Sequence, residues 1–265
     1  MEAEANRPAD WKHFDDFAAG IATNRLPATD ALTGQSFSIA LANGRGVRLS
    51  FTSANNVEWN ERGEAGSDWY EAIRVASDVF FVNLTFSSRP TEDEAFVVNV
   101  KTRRVLSVRE RVRDAAEAPG EPRVTQVYMS GVLEDGAVSP GSLEPAPTRD
   151  LIGLTSHYEY SPQHVYEHVY LSSQRYAWQN LVGVQRGHGD VDLATTYKFG
   201  ENQYVFGFRE FIIPVASIFF YNFDDMRSTG KFLGVTSKGA IENKPAGAFI
   251  RMKSRTTYES GREPV

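Results

Sequence analysis

The chain has 265 residues, of which 41% are hydrophobic and 23% charged, as in a folded globular protein. Its net charge of −6 argues against a general nucleic-acid binder, which needs clustered positive charge. A local basic run (Arg103, Arg104, Arg109, Arg111 and Arg113) is interrupted by Glu110, Asp114 and Glu117, so we expect it on a solvated strand face. The absence of cysteine excludes disulfides, cysteine-bound zinc, iron–sulfur clusters and thiolate catalysis.

No apolar run approaches the length of a membrane span, so no membrane contact is expected. Residues 1–6 have neither the basic region nor the apolar region of a secretory signal. We therefore expect a cytoplasmic protein.

The first recognisable element is a short helix. Asp10 can cap it, Trp11, Phe14 and Phe17 provide apolar contacts at helical spacing, and Gly20 suits its end. Such a helix has too little apolar area to be stable alone. We expect it to pack over an edge or mouth of the domain that follows.

From Leu32 onward the hydrophobic period changes to two, which is typical of β-strands. Asn43-Gly44 is a hairpin signal between the first two strands. Strands are predicted at residues 37–41, 47–52, 57–59, 69–75, 79–86, 95–100, 105–111 and 124–133. Short antiparallel strands in this succession favour a meander that closes into a barrel.

The pattern then repeats after a proline-rich stretch. Leu151-Ile152-Gly153 repeats Leu32-Thr33-Gly34 at an offset of 119 (151 − 32), and Trp178 repeats Trp59 at the same offset. Further strands are predicted at 195–199, 203–211, 217–223, 231–236 and 248–254, with a sharp turn at 227–230. We predict an all-β protein that arose by tandem duplication. Its parts are an N-terminal helical segment (1–30), a barrel (31–135), a linker (136–150) and a second barrel (151–265).

The two copies differ in the residues that face inward. The first copy has apolar residues there: Phe37, Ile39, Leu41, Val47, Leu49, Phe51, Val57 and Trp59. The same offset gives a polar aromatic set in the second copy: Ser156, Tyr158, Tyr160, Tyr166, His168, Tyr170, Tyr176 and Trp178. Buried phenols and imidazoles need hydrogen-bond partners, or each costs on the order of 1–3 kcal/mol. An internal network could provide them, but so many hydroxyls favour a wet or ligand-filled cavity.

His168 is the strongest candidate for proton transfer, because an imidazole titrates near neutral pH. The alternative is an ordinary packing role. Glu167 lies on the opposite strand face, so a carboxylate partner should come from another strand. Glu210 could orient His168 or act as a base if it points inward. Arg209 would instead hold a substrate carboxylate, and the pattern leaves open which of the two faces the interior.

Other motifs carry less information. His188-Gly189-Asp190-Val191-Asp192 resembles a metal loop but lacks the ligand spacing, so we predict a turn and no metal site. No phosphate-binding loop and no nucleophile elbow is present in the sequence. His13, His157 and His164 are expected on the surface.

Several segments resemble the MoaF family. In the second half these are Tyr158-Glu159-Tyr160-Ser161-Pro162, Tyr166-Glu167-His168-Val169-Tyr170, Tyr176-Ala177-Trp178-Gln179 and Phe208-Arg209-Glu210, where a tryptophan is expected at Phe208. In the first half they are Asp10-Trp11-Lys12, Leu32-Thr33-Gly34, Val57-Glu58-Trp59 and Trp69-Tyr70-Glu71. The resemblance implies a lipocalin-like (calycin) barrel in each half. The family name implies a link to molybdenum cofactor biosynthesis.

Together these features favour a cofactor-independent lyase, decarboxylase or isomerase acting on a small aromatic or phenolic compound in the second barrel. The predicted catalytic residues are His168, Glu210 and Tyr166. The predicted substrate-binding residues are Tyr158, Tyr160, Tyr170, Tyr176, Trp178 and Arg209. Alternatives are a lipocalin-like carrier of an aromatic ligand, or an accessory protein of a catabolic or cofactor-related pathway. A homodimer is also considered, because Phe219-Phe220-Tyr221 could lie on an exposed strand.

Overall fold

A computed structural model describes residues 8–265, so the prediction about residues 1–6 lies outside the described chain. Its regular elements are one short helix, a 3-10 turn (Ala115–Glu117) and a series of strands. The helix is α1 (Phe14–Phe17). The strands of the first half are β1 (Ser36–Leu41), β2 (Gly46–Phe51), β3 (Asn56–Glu61), β4 (Glu64–Ala76), β5 (Val79–Thr85), β6 (Glu92–Asn99), β7 (Arg104–Val112) and β8 (Val124–Leu133). Those of the second half are β9 (Ala146–Pro147), β10 (Leu154–Ser161), β11 (His164–Tyr170), β12 (Arg175–Val182), β13 (Gly189–Gly200), β14 (Gln203–Arg209), β15 (Val215–Asn222), β16 (Arg227–Val235) and β17 (Ile241–Arg255).

The predicted fold, two antiparallel barrels in tandem, is confirmed. Strands β1–β8 form a closed barrel, and β10–β17 form a second one with the short β9 added beside β13. In each barrel consecutive strands pair, and the first strand also pairs with the last. Closure in this way leaves no long unpaired edge in either barrel.

Two compact units contain these barrels. One consists of Leu26–Arg111 and Gln126–Ala146, and holds most of the first barrel. The other consists of Pro147–Val265, the segment Val112–Thr125 and the described residues up to Arg25. The N-terminal segment thus belongs to the second barrel, although the first one follows it in sequence. Within residues 8–265, no helix is long and apolar enough to cross a membrane.

Some predicted boundaries differ from the structure. The predicted turn at 227–230 is the start of β16, and the chain turns just before it, where Met226 has a φ of 51°. Gly230 suggested a turn, but its role is close packing. A Cβ atom at Gly230 would lie 2.0 Å from the carbonyl oxygen of Ile218 on the neighbouring strand.

The first barrel has the expected apolar interior, and one end of it contains a charged cluster that was not predicted. Glu94 is 1% exposed and binds the guanidinium groups of Arg45 and Arg109. Glu61 binds the same two arginines at 3.3 and 2.6 Å. Ser107 donates a hydrogen bond to Glu94 and accepts one from Arg45. Arg109, expected on a solvated face, is therefore part of an interior ion-pair network.

Helix α1 is shorter than predicted, and its N-cap is His13 rather than Asp10. The backbone N–H of His13 donates to the carboxylate of Asp16 at 2.9 Å. Asp10 instead lies 3.2 Å from Nε2 of His188 in the second barrel. Because Phe14 and Phe17 are buried, the helix anchors the N-terminal segment on that barrel.

Candidate active site

The interior of the second barrel is built from aromatic side chains. Every inward position that the repeat predicted is buried: Ser156, Tyr158, Tyr160, Tyr166, His168, Tyr170, Tyr176 and Trp178. Strands β10, β11 and β12 provide them in strict alternation with less buried residues. Strand alternation therefore explains why these residues meet in the interior.

The mouth of the second barrel is closed by the N-terminal segment. Phe232 pairs with Ser217 on the neighbouring strand, as Arg109 pairs with Glu94 in the first barrel. Phe232 therefore has the place in the second barrel that Arg109 has in the first. The ring of Phe17 packs edge-on against Phe232, with 6.2 Å between centroids. The first barrel thus closes this end with ion pairs of its own, whereas the second uses a separate segment.

A small cavity lies beneath this segment. The centre of a water molecule can occupy about 20 Å³ within it. The cavity therefore has room for one or two water molecules. Its walls are formed by Phe17, Ile21, Tyr160, Tyr166, His168, Tyr176, Trp178, Gln185, Phe208, Glu210 and Phe232. Six of the nine residues predicted for the site are in this set.

The other three predicted residues lie elsewhere. Tyr158 and Tyr170 lie deeper in the barrel, where their hydroxyls are 2.6 Å apart. The ring of His168 packs on Tyr158, with 4.3 Å between centroids. Arg209 faces away from the cavity and donates to Oγ1 of Thr195 at 3.1 Å. Of the two alternatives left open by the sequence, Glu210 is therefore the residue that faces the interior.

Glu167 has the outward orientation that strand alternation predicts. Its carboxylate lies 3.2 Å from Nε2 of His157 and also accepts a hydrogen bond from Gln179. His157 thus belongs to a polar cluster on the outer face. His164, expected on the surface, is 9% exposed, and its Nδ1 lies 3.0 Å from Oγ of Ser161.

Burial keeps the main titratable groups of the cavity uncharged. It lowers the pKa of His168 to about 3, because water no longer solvates the imidazolium. Burial, reinforced by the nearby charge of Asp192, raises the pKa of Glu210 well above its ordinary value. Both shifts favour the uncharged forms, a neutral imidazole and a protonated carboxyl group.

Two polar atoms of these residues have no hydrogen-bond partner within residues 8–265, namely Nδ1 of His168 and Oε2 of Glu210. The Tyr166 hydroxyl, in contrast, donates to Oε1 of Gln185 at 2.7 Å. An unsatisfied buried polar group destabilises a protein, so such atoms mark candidate sites for a ligand. Among the described residues, no group of three or more His, Asp or Glu side chains is arranged to hold a metal ion.

Two residues near the cavity were not predicted. Gln185 follows β12 in a turn, where the strand period gives no information. Asp192 lies in the segment predicted to be a turn, but it is fully buried on β13 and accepts a hydrogen bond from Nε1 of Trp178 at 2.8 Å. The feature that could have predicted Asp192 is Asp68 in the first copy, which accepts a hydrogen bond from Trp59 in the same way.

The stretch considered for a homodimer does not lie on the surface. Phe219, Phe220 and Tyr221 are each at most 1% exposed on the fully buried strand β15. They provide no surface for a second copy of the chain.

The fold and this cavity define a class: tandem calycin-like barrels with a polar aromatic cavity in the second barrel. The MoaF N-terminal domain matches residues 9–114, and the MoaF C-terminal domain matches residues 145–256. Protein MoaF of Klebsiella aerogenes is 31% identical over 248 residues, which cover 90% of this chain and 91% of that protein. The chain therefore belongs to the MoaF family.

Similarity to solved structures is weak. A putative β-lactamase from Burkholderia vietnamiensis has a TM-score of 0.34 at 12% identity, over 39% of this chain and 95% of that one. The β chain of DNA polymerase III from Streptococcus pneumoniae has a TM-score of 0.13 at 7% identity, over 89% of this chain and 82% of that one. At these TM-scores neither structure informs the fold or the function.

Proposed function

We propose that this MoaF-family protein is a cofactor-independent enzyme of the isomerase or lyase type, acting on a small aromatic or phenolic molecule in the second barrel. One observation carries the proposal. His168 and Glu210 line the same buried cavity, and each has a polar atom without a partner in the described part of the chain. A ligand with one hydrogen-bond acceptor and one acidic C–H bond could engage both residues.

The protonation states suit a paired acid and base. With a ketone, protonated Glu210 can donate a proton to the carbonyl oxygen while neutral His168 accepts one from the neighbouring carbon. With a phenol, His168 would accept the hydroxyl proton while Glu210 protonates a ring carbon. Both transfers together leave the ligand as its enol or tautomer and the cavity without net charge. This matters because an isolated charge is very costly in an apolar interior.

The lining also bears on the chemical class of the ligand. The described residues that line the cavity include no lysine or arginine, and Arg209 lies outside the cavity. A carboxylate would be buried there without a cation, which is unfavourable. The site therefore favours an uncharged aromatic ketone or phenol, and an isomerase or a non-decarboxylating lyase over a decarboxylase.

An aromatic ligand is larger than the cavity. Phe17 and Ile21 of the N-terminal segment form part of its wall. Their displacement would open the mouth without breaking the ladder of strands, so we expect binding to move this segment. Gly20, with a φ of 89°, lies between them and provides a flexible point.

Binding without turnover is the second candidate, and the low pKa of His168 supports it. An imidazole that binds protons so weakly is a poor base unless the ligand changes its surroundings. A lipocalin-like carrier would hold the same uncharged aromatic ligand and release it unchanged.

Hydrogen exchange distinguishes these functions without knowledge of the physiological substrate. We would incubate the full chain in deuterium oxide with a panel of uncharged aryl ketones and phenols. Mass spectrometry would then measure deuterium at carbons that bear acidic hydrogens. Incorporation above the protein-free rate is expected for a proton-transfer enzyme. Binding detected by ligand NMR without incorporation would indicate a carrier. The absence of both binding and incorporation would indicate an accessory protein.

A further inference from the structure

The same tryptophan–aspartate unit occurs in both barrels. In the first, Nε1 of Trp59 donates to Asp68 at 2.7 Å, and the amide of Ser87 donates to the other carboxylate oxygen at 2.9 Å. In the second, Nε1 of Trp178 donates to Asp192 at 2.8 Å, and the amide of Phe211 donates at 3.0 Å. The aspartates and the amide donors are both 124 residues apart (192 − 68 and 211 − 87).

In the first barrel this carboxylate has a cation nearby. Arg89 lies over the rings of Trp59 and Phe86, at 5.2 and 4.1 Å from their centroids. Burial acts to raise the pKa of Asp68, but hydrogen bonds from Ser87 and Trp59 and the charge of Arg89 outweigh it and keep the pKa below its ordinary value. The unit is therefore a structural element that favours an ionised carboxylate.

The second barrel changes both neighbours of the unit. The loop that corresponds to the one with Arg89 has the sequence Phe-Ile-Ile-Pro at 211–214, which includes no cation. At the same offset of 124, Phe86 is replaced by Glu210. A counter-charge has thus been lost, and a second carboxyl group has been added. Burial raises the pKa of Asp192 to about 7, against the effect of its two hydrogen bonds.

Backbone geometry connects the two carboxyl groups. The amide that Asp192 binds is that of Phe211, the residue directly after Glu210. Asp192 is thereby fixed by two N–H donors, whereas Oε2 of Glu210 has no such donor within residues 8–265. Two N–H donors favour the charged form of a carboxyl group. The arrangement is therefore asymmetric, with the charge favoured on one side.

Other charged and titratable groups near Asp192 and Glu210 do not remove this asymmetry. Asp190 on the same strand adds negative charge beside both carboxyl groups, and Arg175 on β12 opposes it at Asp192. Tyr176 on β12 and Tyr166 on β11 are buried phenols that remain neutral, because burial raises the pKa of both. No described cation therefore faces Glu210 as Arg89 faces the unit in the first barrel.

We propose that Asp192 and Glu210 form an electrostatically coupled carboxyl pair that together holds one proton, in which Asp192 holds the negative charge and Glu210 presents the proton to the cavity. Two carboxyl groups linked through one hydrogen-bonded backbone amide in an apolar site do not both ionise readily. Asp192 is then a positioning residue that keeps Glu210 protonated at neutral pH. Its catalytic role rests on the proposed function, whereas the pair itself does not.

Carbon-13 NMR of the full chain, labelled at the side-chain carboxyls of glutamate and aspartate, tests the pair without any ligand. The Glu210 and Asp192 signals are assigned by their loss in Glu210→Gln and Asp192→Asn. We expect the titration midpoint of Glu210 to fall by about one pH unit or more in Asp192→Asn, because a neutral amide then replaces the charge. The midpoint of Asp192 should change much less in Glu210→Gln, because Glu210 is uncharged while Asp192 ionises. Asp68→Asn, which changes the matching unit of the first barrel, should move neither.

A Glu210 midpoint that stays in place in Asp192→Asn would overturn the pair. If Asp192→Asn does not fold, the wild-type titration decides: the Asp192 midpoint should lie below that of Glu210, and the reverse order would overturn the proposal. The proposed function can fail separately: shifted midpoints without any deuterium exchange would leave the pair standing and refute the enzyme. Deuterium exchange without shifted midpoints would support the enzyme and refute the pair. Where exchange occurs, Asp192→Asn should also move the pH profile of its rate toward lower pH, which loss of a merely structural contact would not do.

Discussion

Replacing Glu94 by glutamine is expected to lower the free energy of unfolding by about 3–5 kcal/mol. Glu94 is fully buried between two arginines, and their charges outweigh the burial that would otherwise raise its pKa. Glutamine has nearly the same shape but no charge. Arg45 and Arg109 would keep only Glu61 as a counter-ion, so one buried positive charge would be left unpaired.

Urea unfolding at pH 7, followed by circular dichroism, measures this loss. Asp135→Asn is the control, because it removes an ion pair between Arg103 and a carboxylate that is 55% exposed. That variant should lose less than about 1 kcal/mol. Equal effects in the two variants would show that the interior network does not hold the end of the first barrel together.

The second large effect concerns chemistry. Glu210→Gln is expected to reduce the rate of deuterium incorporation into a responsive ketone or phenol by roughly 10²–10⁴-fold. Glutamine fills the same space and can donate a hydrogen bond, but it cannot transfer a proton. His168→Gln should cause a loss of similar size, since the acid and the base act in one step. Binding of the same compound, measured by ligand NMR, should change much less.

Glu167→Gln provides the matched control for this rate. Glu167 precedes His168 in sequence, but its carboxylate lies on the outer face with His157. Its removal should leave the rate unchanged. A normal rate in Glu210→Gln, or an equal loss in Glu167→Gln, would show that proton transfer does not involve the cavity.

The sequence predicts the inward face of the second barrel well because strand alternation is strict. A constant offset of 119 across the first three strands transfers the pattern of the first copy to Tyr158, His168 and Trp178. After β12 the offset becomes 124, because the second copy has a longer turn before β13. A shift by an odd number reverses which residues appear to face inward. For that reason the choice between Arg209 and Glu210 needed the structure.

The remaining features depend on contacts far apart in sequence. Nothing in the helix pattern of residues 10–20 indicates that Phe17 closes the mouth of the second barrel rather than the first. The network around Glu94 joins side chains from β3, β6, β7 and the turn between β1 and β2, and each charged member reads locally as an ordinary charged residue. Asp192 could have been found from sequence, since Asp68 precedes it by 124 residues, but only once the changed offset was known.

The central claim is that the first barrel's interior serves stability and the second's serves function. The unfolding of Glu210→Gln between pH 5 and 8 tests it most directly. The pKa of Glu210 is raised in the folded state, so the folded wild-type protein holds a proton that the unfolded chain releases above its ordinary pKa. The free energy of unfolding of the wild-type protein therefore decreases as pH rises toward the folded-state pKa of Glu210. The Glu210→Gln variant does not have this pH-dependent loss. We predict that the variant is at least as stable as wild type at pH 7, with an advantage that increases with pH. A variant that is less stable at every pH, as Glu94→Gln should be, would contradict the claim and make Glu210 a structural residue.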